Sequence, residues 1–128
     1  MGAIEVRTKI HLKTSKHTEQ ILELHSEEEH PLNQLKATEQ MLVDSDNNAF
    51  VYLASYHDEY QYIYLHEAVW LPLKEAFTTK KKVEAVAGNE RLTLNGLHEE
   101  LDYLIHNIKG NSNYGEDFVM KVEETFLK

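Results

Sequence analysis

Polar and apolar residues alternate without a break from residue 4 to residue 13. Ile4, Val6, Thr8, Ile10 and Leu12 fall on one side; Glu5, Arg7, Lys9, His11 and Lys13 fall on the other. A period of two predicts a strand with one buried face and one wetted face. Thr14 to His17 reads as a turn, and residues 19–25 as a second, less regular strand. Ser26 to Pro31 is an acidic loop, which Pro31 keeps either neighbour from crossing. Residues 32–39 fit a short helical turn or coil. Residues 40–43 form a strand, closed by the turn Asp44-Ser45-Asp46-Asn47-Asn48.

The period then lengthens. Val69, Trp70, Leu73, Ala76 and Phe77 recur at helical spacing within residues 66–79. Pro72 is tolerated only in a first turn, so the helix starts near Ala68. Residues 82–87 and 90–95 make a hairpin across Gly88-Asn89, with Val83, Ala85, Leu92 and Leu94 as its core face and Glu84, Arg91 and Thr93 as its wet face. A second helix covers 97–109 on the stripe Leu97, Leu101, Leu104, Ile105 and Ile108. Asn95 is its expected N-cap and Gly110 its C-terminal stop. A third helix covers residues 116–127, with acidic residues in its first turn. The order predicts one α+β domain over residues 1–128, with a mostly antiparallel sheet of six or seven strands and three helices concentrated in the C-terminal half.

One stretch departs from simple alternation. Five of the seven tyrosines lie between residues 52 and 64, in a hairpin turning at His57-Asp58 or over Tyr56–Glu59. With an even loop, Val51, Leu53 and Ser55 share a face with Tyr60, Tyr62 and Tyr64, while Phe50, Tyr52 and Ala54 share the other with Gln61, Ile63 and Leu65. An odd loop exchanges the faces of one strand. Both faces are largely apolar in either case. Such a ribbon is covered twice and belongs near the sheet centre, or it is covered once and left as a contact surface.

Composition narrows the function classes. At 128 residues the chain can bury roughly two thirds of its unfolded surface. It has no cysteine, which removes disulfides and thiolate metal sites. A net charge of −9 opposes nucleic acid and anionic membranes. The basic run Lys80-Lys81-Lys82 reads as a solvated turn. The opening Met-Gly-Ala-Ile-Glu-Val-Arg lacks the apolar stretch of a signal peptide, Val6 breaks a myristoylation motif, and no run reaches a membrane span. The expectation is a cytoplasmic protein with neither nucleic-acid nor membrane partners.

Candidate chemistry is thin. Asp44-Ser45-Asp46-Asn47-Asn48 opens like a calcium loop, but Ala49 stands at the glycine position and Ser55 at the glutamate position. His98, Asp102 and His106 share a polar helix face at metal-ligand spacing, yet they read as solvated. His57, Asp58 and Glu59 lie at a hairpin tip without a nucleophile elbow. Neither phosphate-binding glycine motif is present. No catalytic residue, cofactor or metal ligand is therefore assigned.

The segments Leu42–Asn47, Phe50–Tyr52, Trp70 with Glu75-Ala76, Leu97–Leu104 and above all Asn107-Ile108-Lys109-Gly110-Asn111-Ser112-Asn113-Tyr114-Gly115-Glu116 resemble the YjbL family, small cytoplasmic proteins of Gram-positive bacteria. The likeness spans about residues 40–127. It implies lineage and a cytosolic setting, and it brings no activity, cofactor or site residue with it. The resulting reading is a non-enzymatic interaction or regulatory module. It would use Tyr52, Tyr60, Tyr62 and Tyr64 to contact an unknown protein or a second copy. The rival is a small-molecule binder or enzyme with a pocket between sheet and helices, drawing on Tyr64, His66, Asn111 or Tyr114.

Overall fold

A computed structural model describes residues 8–128. The part of the first expected strand that covers residues 4–7 lies outside them. Seven strands are formed: β1 (Lys9–His17), β2 (Ile21–Ser26), β3 (Lys36–Asp44), β4 (Ala49–Tyr56), β5 (Glu59–His66), β6 (Lys82–Ala87) and β7 (Glu90–Thr93). The helices are α1 (Trp70–Thr79), α2 (Leu97–Ile108) and α3 (Glu116–Phe126). The α+β class and the C-terminal helices are as expected.

The strand order is β3-β4-β5-β1-β2-β6-β7, and the sheet curls into a half-barrel. It is mixed rather than mostly antiparallel. The neighbours β1–β5 and β2–β6 run parallel, while β1–β2, β3–β4, β4–β5 and β6–β7 are antiparallel. The first hairpin inserts between the other two strand groups, so each of its strands meets a distant partner. Hairpin signals are local, and nothing in a strand's own alternation names a remote neighbour.

Three local differences have physical causes. β1 continues to His17, because Thr14–His17 pairs with Leu22–His25 beyond a bulge at Lys13. β3 begins at Lys36, four residues before the expected start, and carries a bulge in which Glu39 has φ +62°. Asn95 does not cap α2: Gly96, at φ +74°, precedes the helix, and the Asn95 carbonyl is engaged by Tyr52. Pro72 does fall in the first turn of α1, behind a short 3-10 turn at Glu67–Val69.

All three helices bury residues in the one large core cluster, together with one face of the sheet. Ile10, Leu12, Leu22, Leu24, Phe50, Tyr52, Ile63 and Leu65 meet Trp70, Leu73, Leu101, Ile105, Phe118 and Phe126 there. Trp70 is central. Its ring lies 5.2 Å from Phe50, 5.8 Å from Phe118 and 5.9 Å from Phe126, and its Nε1–H donates to the Leu65 carbonyl at 3.0 Å. That bond satisfies the one polar atom the indole would otherwise bury unpaired. Among the described residues no helix is long and apolar enough to cross a membrane.

Candidate functional site

The β4–β5 turn decides the faces. His57 and Asp58 both take positive φ (47° and 65°), so the loop has two residues and Tyr56 pairs with Glu59. This is the even case. Phe50, Tyr52, Ile63 and Leu65 point inward to the helices. Val51, Leu53, Tyr60, Tyr62 and Tyr64 point outward.

The four tyrosines therefore do not share a surface. Tyr52 is fully buried on the inner face, where no partner reaches it. Its hydroxyl donates to the Asn95 carbonyl and accepts the Glu39 amide at 3.3 Å. Burial pushes that hydroxyl up to about 12. Tyr60, Tyr62 and Tyr64 form a gradient along the outer face: Tyr60 is half exposed, Tyr62 is partly buried and Tyr64 is buried.

Around Tyr64 the outer face is organised. Ala49, Val51, Leu53 and Tyr64 form a second apolar cluster with Tyr62 packed against it. A groove of about 400 Å³ runs across β3, β4, β5 and β1, lined among others by Leu42, Asp44, Asp46, Val51, Tyr62 and Tyr64. The Tyr64 hydroxyl donates to Asp44 Oδ2 at 2.9 Å, and Lys9 Nζ stands 5.4 Å from the Tyr64 ring centroid. Burial alone would raise the Asp44 carboxyl. The hydrogen bonds from Asn47 and Tyr64, with the charge of Lys9, outweigh it and hold the group below its ordinary value. Beside the groove, His11 Nδ1 and His66 Nε2 are 2.7 Å apart, and both rings contact Tyr64.

The other half of the outer face is charged and self-satisfied. Glu23 and Glu84 are register partners on β2 and β6, both buried. Arg91 Nη1 lies 2.8 Å from Glu23 and 3.1 Å from Glu84, and His25 Nε2 lies 3.0 Å from Glu23. The hydrogen bond from Arg91, then that from His25, hold Glu23 below the ordinary carboxyl range. Glu84, expected on a wet face, is instead covered by this pairing.

The remaining candidates separate. Asp44 accepts the Asn47 backbone and side-chain N–H groups, so the 44–48 segment caps its own turn. His98 pairs through Nε2 with the Lys81 carbonyl at 2.7 Å and meets the Phe77 ring edge-on, whereas His106 faces Asp102. His57 and Asp58 are the hairpin turn itself. Among the described residues no three metal-ligating side chains converge. Tyr64 and His66 are neighbours on the outer face, whereas Asn111 and Tyr114 belong to the turn between α2 and α3. The groove residues Lys9, Leu42 and Asp44, and His11 beside them, were missed as a group because the neighbourhood of β1 and β5 is not written in the chain.

Fold and face together define a small α+β protein with its helices inside a curled mixed sheet and an aromatic groove outside it. The chain belongs to UPF0738, a family of unknown function, whose model matches residues 10–126. Among known proteins it is 43% identical over 122 residues to a UPF0738 protein of Bacillus velezensis, covering 95% of this chain and all of the relative. It is 49% identical over 92 residues to YjbL of Bacillus subtilis, covering 72% and 75% of the two chains. A Staphylococcus aureus relative is 48% identical over 87 residues, 68% of this chain and 71% of that one. The resemblance to the YjbL family holds. No solved structure matches this chain.

Proposed function

We propose that this protein is a binding module that docks a partner protein on the outer face of β3, β4 and β5. One observation carries the reading: the outer face of this half of the sheet is apolar and aromatic. Leu42 and Tyr60 are about half exposed there, at 48% and 51%. Exposed large apolar groups beside a groove mark interaction surfaces more often than random scatter does, and tyrosine is enriched in such contacts. The charged half of the same face has every buried carboxylate paired, so it offers a partner less. Contact through Tyr60, Tyr62 and Leu42 leaves the core untouched, which suits a module whose fold precedes binding.

A photo-crosslinking amino acid at position 60 tests this in the producing cell. A discrete crosslinked species that disappears with Leu42→Ser and Tyr62→Ser supports the reading, and its mass separates a second copy from another protein. Absence of any species, with unchanged light-scattering mass in the triple Leu42, Tyr60, Tyr62→Ser variant, removes it.

A further inference from the structure

The two imidazoles at the groove's edge have a geometry with its own consequence. His11 Nδ1 and His66 Nε2 face each other at 2.7 Å. That distance requires one nitrogen to carry a proton and the other to present its lone pair. The rings are 5.0 Å apart between centroids and come from different strands, since β1 and β5 run parallel with His11 opposite Tyr64. A pair holding one added proton keeps the bond, and two added protons point N–H at N–H. We infer that the His11–His66 pair is a proton-operated joint between β1 and β5: it is closed while one ring is neutral and parts when both are charged.

The surroundings resist the second proton on the closed pair. Lys9 and Lys13 flank His11 on β1, and His30 approaches from the loop after β2. Against these stand Glu28 from the same loop and Asp44 at the end of β3, which Tyr64 and Asn47 already engage. The Tyr64 ring, 5.3 Å from His11 and 5.6 Å from His66, packs on both. Burial first, then Lys13 and Lys9, hold His11 below the ordinary imidazole value of 6.5. Burial and then His11 do the same for His66. The sign follows. Above 6.5 both folded and unfolded chains are neutral here, and stability is intact. As pH falls below 6.5 the unfolded chain takes up protons first, so stability drains until the folded pair also titrates. This inference stands on the pair alone and does not need the docking reading.

Long-range proton–nitrogen spectra of the full chain read the ring tautomers directly. At pH 7.5 the expected pattern is one protonated and one unprotonated nitrogen across the contact. On titration to pH 5, the His66 midpoint in His11→Gln is expected to rise toward 6.5, and the variant's urea midpoint is expected to fall less than the wild type's. Two facing nitrogens both protonated at pH 7.5 overturn the inference, as does a His66 midpoint indifferent to His11→Gln. If that variant fails to fold, the wild-type tautomer pattern still decides.

Discussion

Tyr52 on β4 holds Asn95, forty-three residues later, by donating its hydroxyl proton to the Asn95 carbonyl. The same oxygen accepts the amide of Glu39 from the β3 bulge. One buried side chain thus ties an edge strand to the entrance of α2. The Tyr52→Phe variant keeps the ring but strands a carbonyl and an amide. A loss of about 1–3 kcal/mol is expected, read from urea unfolding at neutral pH. A smaller change would mean that water replaces the hydroxyl.

The adjoining glycine is required by space as well as by backbone. A Cβ on Gly96 would lie 2.8 Å from the Glu39 Cβ, at φ +74°. Gly110 also has positive φ, +65°, but nothing stands within 4 Å of its would-be Cβ. Gly110→Ala therefore carries only the left-handed strain of about 1–2 kcal/mol. Gly96→Ala adds a clash and is expected to cost more, by about a further 1–3 kcal/mol. Melting curves of the two variants side by side check the order.

The two faces of the tyrosine hairpin are expected to respond differently to truncation. Phe50→Ala empties a site among Trp70, Phe118 and Phe126 and is expected to cost about 3–5 kcal/mol. Tyr60→Ser removes an exposed ring and is expected to stay within about 0.5 kcal/mol of wild type. Chemical denaturation measures both. A large loss in Tyr60→Ser would move that residue from the surface to the framework.

Arg91 is the counter-ion that lets Glu23 and Glu84 sit side by side. In the wild type Glu23 is held below 4.5, so its contribution is present above 4.5 and is lost as pH falls through the folded value. Arg91→Met reverses the sign. Glu23 then loses the hydrogen bond that chiefly holds it down while Glu84 stays beside it, so its titration moves up and stability falls as pH rises. Urea midpoints at pH 5 and pH 7 are expected to show the variant relatively better off at pH 5, the opposite of an acid-induced loss.

Local chemistry determined much of this protein. The two-residue turn at His57-Asp58, Pro72 in a first turn, the leucine stripe of α2 and the Gly110 stop are all consequences of short-range sterics and of periods of two and 3.6. Each was legible from a few adjacent residues, the turn as one of two alternatives between which the structure chose. So was the two-sided apolar character of the hairpin, and a likeness to the YjbL family. Tertiary structure alone decided that β1 lies parallel to β5 and β2 to β6, because backbone pairing is indifferent to side-chain identity at long range. That one arrangement brings His11 to His66, places Lys9 by the Tyr64 ring, and sets Glu23 against Glu84. The two-residue turn had already set Tyr52 on the face opposite Tyr60, Tyr62 and Tyr64; tertiary structure decided only that the helices pack on the Tyr52 side.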